Sequence, residues 1–221
     1  MSPRKLFVQE MEDLRQDVLQ MGEWVIDGYT CLFETLEKKD GETMGRFVRH
    51  DRVIGDMQRN IEARCLNLLT RQTPVAGDLR TVSASLKIAS DLERIGNHLS
   101  DMAELFTRMG YVDLNTISAH FGPMIAETKV SAEKSVKAFV ERNMDLAREV
   151  IKLDDTIDDY FNKVKDDLVV ALGGKVDSID NYVDALMVAK YLEKIADHGV
   201  TSPTGRFYRK PAIWRTRGFC N

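Results

Sequence analysis

An internal repeat with a spacing of about 100 residues limits the folds that are open to this chain. Residues 89–98 align with residues 189–198 at an offset of 100, and five of the ten positions are identical. Further upstream, residues 51–61 align with residues 154–164 at an offset of 103. Because the chain has 221 residues, each half has the size of a small domain. The repeat therefore predicts two similar structural units in tandem.

The hydrophobic periodicity of both units is that of α-helices. Apolar residues recur every three or four positions, as in Leu92, Ile95, Leu99, Met102 and Phe106, and no strand-like alternation competes with this pattern. Turn and capping residues separate the periodic stretches, notably Asp40, Pro74, Gly110, Asn143 and Gly173. We predict six helices of roughly 20 to 35 residues, joined by short loops.

The predicted fold class is all-α, with two tandem, pseudo-symmetric three-helix bundles. The first unit is predicted over residues 1–110 and the second over residues 111–198. Residues 199–221 form a divergent basic tail that we expect to be disordered.

Composition indicates a globular protein of the cytoplasm. Hydrophobic residues make up 43% of the chain and charged residues 30%, which is enough apolar material for a core. No apolar run reaches the roughly 18 residues that a membrane span needs, and the N-terminal residues lack the apolar stretch of a secretory signal. The three cysteines, at positions 31, 65 and 220, have no metal-like spacing, so we expect reduced thiols.

The charge of the chain is unevenly distributed. The net charge is −4, but the first 197 residues carry 26 basic and 35 acidic side chains, which gives −9. After Asp197 there are five basic residues and no acidic one. The acidic body argues against a nucleic acid as the main partner.

The third and sixth predicted helices each carry a stripe of acidic and amide side chains. On a helical wheel the stripe lies almost opposite the apolar residues, so we expect it to face away from the core. Its members are Glu93, Asn97, Asp101 and Glu104 in the first unit and Glu193 and Asp197 in the second. A solvated helix face is one interpretation, and a site for a hard or borderline cation is the other. His98 and His198 lie next to the stripe at equivalent repeat positions, where a structural role is the simpler interpretation.

Motifs for catalysis are missing from the sequence, so we do not expect an enzyme. There is no nucleophile elbow, no phosphate-binding glycine loop and no zinc-protease signature. A metal-storage or redox bundle would need Glu-x-x-His pairs, whereas Glu93 and His98 are five residues apart. A helical adaptor that binds no metal is a further alternative.

Three segments resemble the PhoU family. Residues 65–80 resemble the hallmark between the second and third helices of that family, residues 91–98 its third-helix motif, and residues 192–198 the sixth-helix counterpart. The resemblance extends over about residues 5–198 and includes the order and spacing of the motifs.

This resemblance implies a regulator of phosphate uptake that represses the phosphate-starvation response. The implied partners are the ATPase subunit of the phosphate ABC transporter, a phosphate-sensing histidine kinase and a second copy of the chain, with peripheral membrane association also implied. It further implies bound divalent or ferric metal ions (iron, zinc or similar), with Glu93 as a ligand in the first unit and Glu193 and Asp197 as ligands in the second.

The chain departs from the family pattern at two places. Position 97 is Asn where the family favours Asp, which predicts a weaker first site unless Asp101 substitutes for it. After His198 the helical pattern stops and Pro203 precedes the basic tail. A changed reading frame is one hypothesis for this tail, which resequencing of the gene would test. A native basic tail would instead be able to contact anionic lipid.

Overall fold

The computed structural model describes residues 3–47, 51–71, 76–176 and 178–201 of the chain. Within these ranges the secondary structure consists of α-helices only: α1 (Pro3–Lys38), α2 (Gly41–Phe47), α3 (Asp51–Arg71), α4 (Ala76–Arg108), α5 (Leu114–Ile117), α6 (Phe121–Glu141), α7 (Met144–Leu172) and α8 (Ile179–Thr201). The predicted basic tail lies almost entirely outside the described residues. None of the described helices has both the length and the apolar character needed to cross a bilayer.

The six long helices form two three-helix bundles, as the sequence predicted. Helices α1, α3 and α4 pack together in the first unit, and α6, α7 and α8 pack together in the second. Each long helix buries one apolar stripe, and that of α4 includes Leu92, Ile95, Leu99, Met102 and Phe106. Two short helices, α2 and α5, were not predicted, because seven and four residues are too few to show a helical period.

Capping residues define several of the helix ends. Asn143 caps α7, since its Oδ1 accepts hydrogen bonds from the backbone N–H of Asp145 and Leu146. Ser178 Oγ accepts from the N–H of Asn181 at the start of α8. Gly110 follows α4 with φ at +66°, a left-handed conformation that glycine adopts without strain. Gly110 and Asn143, both selected from the sequence, therefore lie at helix ends.

The two units pack against each other through α1 with α6 and through α4 with α8. At the first contact a Cβ on Gly22 would lie 2.5 Å from Val136 Cγ1, so only glycine permits this approach of α1 to α6. Tyr29 is buried there and donates a hydrogen bond from its hydroxyl to the carbonyl of Ile125 over 2.7 Å. At the second contact, Arg108 Nε donates to the buried carboxylate of Asp184 over 2.6 Å. The units thus share one continuous core.

Candidate metal site and the junction between the units

Four carboxylates converge where α7 packs against α8, and we call this set the acidic groove. Its members are Asp154 and Asp158 of α7 and Glu193 and Asp197 of α8. Both pairs have i, i+4 spacing, which places each pair on one side of its helix. Ile157 on α7 and Ile195 on α8 are fully buried and fix the packing of these helices against the core. The helix packing therefore holds four like charges together.

Lysines on α8 neutralise part of this charge. Lys190 Nζ lies 2.6 Å from Glu193 Oε2, an ion pair without the directional geometry of a hydrogen bond. Lys194 Nζ lies 2.6 Å from Asp197 Oδ2 and 3.6 Å from Glu193 Oε2. The Glu193 side chain is only 15% exposed, whereas that of Asp197 is 43% exposed. The expectation that the α8 stripe faces away from the core is therefore wrong for Glu193, because α7 covers it.

Asp154 is the least satisfied member of the acidic groove. Its Oδ1 atom is buried and has no hydrogen-bond partner. Burial, together with the negative charges of Asp158 and Asp197, raises the pKa of Asp154 from 3.8 to about 6. Burial and the charges of Glu193 and Asp197 raise the pKa of Asp158 as well. A further positive charge in the groove would relieve this repulsion.

The donor chemistry of the acidic groove fits a hard cation. All four side chains offer oxygen, which is the donor that Mg²⁺, Ca²⁺ and Mn²⁺ prefer. Among the residues that the structure describes, however, no three Asp, Glu, His or Cys side chains are grouped closely enough to hold a metal ion. Lys190 and Lys194 occupy the positions next to the carboxylates that a cation would take, so a metal would require both lysines to move aside.

The corresponding site in the first unit is much poorer in charge. Glu93 is half-buried, and Asn97 and Asp101 are exposed. At the repeat offset of 103, the counterparts of Asp154 and Asp158 on α3 are Asp51 and Gly55. At these two positions α3 therefore carries one carboxylate where α7 carries two.

Asp101 is directed to the second unit. Its Oδ2 atom lies 3.8 Å from His98 Nδ1, and burial together with the Asp101 carboxylate raises the pKa of Tyr191 on α8. These contacts place Asp101 at the α4–α8 interface. Whether it substitutes for Asn97 as a metal ligand stays a prediction.

The two repeated histidines meet at the α4–α8 interface, which we call the junction. The rings of His98 and His198 stack with centroids 5.8 Å apart, and His98 also stacks on Tyr191 at 5.1 Å. His198 Nδ1 lies 3.3 Å from Oδ1 of Asp91, which is almost fully buried and also pairs with Lys87. Burial alone would raise the pKa of Asp91, but the hydrogen bonds from His198 and Lys87 outweigh it and lower that pKa. Burial and the neighbouring His198 lower the pKa of His98.

Sequence reasoning missed two members of the acidic groove. Asp154 and Asp158 were not selected as ligands, although they have the same i, i+4 spacing as Glu193 and Asp197. Applying that spacing to every helix would have found them. The meeting of His98 with His198 was not predicted either, because the periodicity of one helix does not show how the two repeats pack.

Comparison with known proteins gives one consistent family. The sequence matches the family model described as PhoU domain over residues 18–106 and again over residues 122–201. A PhoU homolog of the phosphate-specific transport system from Clostridium acetobutylicum is 34% identical over 88% of this chain and 89% of its own length. An accessory protein homolog from Methanothermobacter thermautotrophicus is 30% identical over 90% of this chain and 91% of its own length.

Solved structures agree with the sequence relatives. The crystal structure of PhoU from Pseudomonas aeruginosa superimposes with a TM-score of 0.84 at 26% identity, over 89% of this chain and 95% of that one. The phosphate transport system regulatory protein PhoU from Streptococcus pneumoniae gives a TM-score of 0.81 at 25% identity, over 89% of this chain and 93% of that one. On the two matched repeats, the shared helical-bundle fold and these relatives, the chain belongs to the PhoU family.

Proposed function

We propose that this protein is an accessory regulator of phosphate transport that represses the phosphate-starvation response. Membership of the PhoU family is the observation that carries the proposal, because the relatives are named as accessory or regulatory proteins of phosphate transport. In this proposal it acts in the cytoplasm as a scaffold between the ATPase subunit of a phosphate ABC transporter and a sensor histidine kinase. Regulation then requires different affinities for two states of a partner, and no bond needs to be broken.

Within this function we propose the acidic groove as a metal site. The unpartnered Oδ1 of Asp154, close to three further carboxylates, supports a hard divalent or ferric cation as the ligand. Glu193 and Asp197 keep the role that the sequence implied, and Asp154 and Asp158 join them. Glu93 and Asn97 would form a weaker site in the first unit. Zinc is less favoured than manganese or iron, since the groove offers neither sulfur nor imidazole.

The lysines suggest how binding would change the protein surface. A bound cation would supply the positive charge that Lys190 and Lys194 now give to the carboxylates. Both side chains are about 40% exposed and lie at the outer side of α8. Without their carboxylate partners they would extend from that helix as free positive charges. A partner protein that binds this surface would then distinguish the metal-bound from the metal-free protein by its charge.

The test measures alkaline phosphatase at high phosphate in a strain that lacks this gene. Wild-type protein should restore repression, Glu193→Gln with Asp197→Asn should restore less, and Glu93→Gln should behave almost as wild type. Mn²⁺ titration of the same purified proteins should show binding that the α8 variant loses. If wild-type protein does not restore repression, the regulatory function is wrong for this chain. If the α8 variant represses fully, the groove has no role in signalling.

A metal-free helical adaptor is the second candidate function. The observation that favours it is the pairing of Glu193 and Asp197 with Lys190 and Lys194, which already neutralises part of the groove. An adaptor would repress normally while binding no Mn²⁺ or Fe³⁺ in purified form, whereas the metal-dependent scaffold requires both. Self-association into homodimers and peripheral contact with the membrane complete the proposal, and light scattering and vesicle flotation test them.

A further inference from the structure

The outer surface of the α7–α8 hairpin combines an apolar half with an acidic half. The apolar half lies around the loop that joins the two helices, where large apolar side chains are 39% to 78% exposed. Its members are Val169, Val170, Leu172, Ile179, Val183 and Met187. Exposed apolar clusters of this kind mark interaction sites on soluble proteins.

The apolar half continues along α8 into the acidic groove. Ile179, Val183 and Met187 have i, i+4, i+8 spacing, and the same stripe reaches Lys190, Lys194 and then Asp197. The groove itself sets four carboxylates against two lysines, so negative charge is in excess. One continuous surface therefore offers apolar contacts at one end and negative charge at the other.

The first unit has the same fold but only part of this surface, since Leu66 and Leu79, at the equivalent end of its helix pair, are also exposed. The counterparts of Val183 and Met187 on α4 are Ser83 and Lys87, and the counterpart of Val170 on α3 is Asn67. Lys87 pairs with the buried Asp91, so this position offers no apolar contact to a partner. The apolar stripe that continues along α8 is thus a property of the second unit and not a consequence of the bundle fold.

A complementary partner would present apolar or aromatic side chains interleaved with basic ones, and this chain contains such a segment. Residues 202–221 contain five basic residues and no acidic one. The same segment contains Phe207, Tyr208, Ile213, Trp214 and Phe219. An anionic membrane is a poorer match for the surface, because the groove carboxylates would repel it.

The length of the segment also fits. The segment follows Thr201, the last residue of α8, and Asp197 lies one helical turn before Thr201. At 1.5 Å per residue, α8 extends about 27 Å from Asp197 back to Ile179. Twenty residues of extended chain span up to about 66 Å, so the segment reaches the whole surface even with a turn at its start.

We propose that residues 202–221 dock on the α7–α8 surface of their own chain. Arg206, Arg209 and Lys210, which come first after Thr201, lie over the acidic groove. Ile213 and Trp214, which follow them, lie on the apolar stripe of Val183 and Met187. The segment then competes with cations for the groove carboxylates. The docking itself requires neither a metal nor a phosphate-signalling partner, so it can fail or hold independently of the proposed function.

The experiment is photo-crosslinking from Cys220 in the full chain, with EDTA present to remove cations. Cys31→Ser removes the exposed competing thiol, and Cys65 is buried with its pKa raised to about 12, so it reacts poorly. A benzophenone maleimide on Cys220 is irradiated, and the linked peptides are identified by mass spectrometry. We expect crosslinks within α7 and α8 of the same chain, reduced several-fold in 0.5 M NaCl because salt screens the charges.

Variants that give α8 the residues of the first unit are the decisive comparison. Val183→Ser with Met187→Lys should lower the crosslink yield at least threefold, whereas Leu66→Ser with Leu79→Ser on the first unit should leave it unchanged. All four positions are exposed, and circular dichroism checks the fold. Crosslinks spread over both units of the protein, or crosslinks insensitive to both salt and the α8 variant, would overturn the proposal. Crosslinks that join two chains would overturn it in favour of a second copy as the occupant.

Discussion

The two units share a fold but differ in what lies opposite their motif helices. In the second unit Glu193 and Asp197 face Asp154 and Asp158, and Asp154 is left with a raised pKa and an unpartnered oxygen. In the first unit Glu93 and Asn97 face a helix that has Gly55 at the position of Asp158. The neighbouring helix, as much as the motif, therefore decides whether carboxylates become a site.

Substitutions that leave a cavity in each core should have the largest effect, and they test whether the cores of the two units are equivalent. Ile54→Ala and Ile157→Ala each remove a buried side chain at matching repeat positions, so each should lower the free energy of unfolding by about 2–5 kcal/mol. Urea denaturation measures both. Ile151→Ala, at an exposed position of α7, is the control and should cost well under 1 kcal/mol. A much smaller loss for one buried site than for the other would show that the cores are not equivalent.

Grafting carboxylates should convert the first site toward the second. Gly55→Asp with Asn97→Asp restores both missing acids, and a side chain at position 55 meets only the flexible end of Arg59. We expect the Mn²⁺ affinity of the first unit to rise at least tenfold, which is about 1.4 kcal/mol. Titration calorimetry in a Glu193→Gln background isolates this site. An unchanged affinity would mean that the difference between the units lies elsewhere.

Removing the charge of Asp154 should stabilise the second unit at neutral pH. The folded-state pKa of Asp154, about 6, lies above the unfolded value of 3.8, so the folded protein binds the proton more tightly than the unfolded chain. Deprotonation of Asp154 therefore lowers the free energy of unfolding as the pH rises from 4 through 6. Asp154→Asn should therefore raise the free energy of unfolding by about 1 kcal/mol at pH 7, after allowance for solvent screening, and by much less at pH 4.

Asp159→Asn is the matched control for that change, because this α7 side chain is exposed and is not among the charges that raise the pKa of Asp154 or Asp158. It should leave the pH dependence of unfolding unaltered. Equal stabilisation by both substitutions would attribute the effect to the net charge of α7 and not to the groove.

The smallest expected effect concerns the lysine that links Glu193 and Asp197. Lys194→Gln removes two ion pairs that are partly exposed, so it should cost only a few tenths of a kcal/mol in unfolding free energy. The affinity for Mn²⁺ should rise a few-fold, because one competing positive charge is gone. Lys165→Gln, away from the groove on α7, should change neither quantity.

Much of the fold followed from the sequence, and less of the site did. Helix periodicity and the turn residues Gly110 and Asn143 predicted the helices and the bundle class, because these signals are local. The burial of Glu193 did not follow, since it depends on how α7 covers α8. Asp154 and Asp158 show their i, i+4 spacing in the sequence, but a carboxylate pair on one helix becomes a site only when a second pair faces it.

The junction has a consequence for the ancestry of the chain. His98 and His198 occupy the same repeat position and stack on each other, so the two units meet through equivalent surfaces. Such a contact is isologous, the kind that joins two identical subunits across a twofold axis. An ancestor with a single unit would have formed this contact as a symmetric dimer, and gene duplication would have fused its halves. After fusion the residues beside the two histidines could change independently, and the equivalent positions on either side of the former axis are now Asp91 and Tyr191.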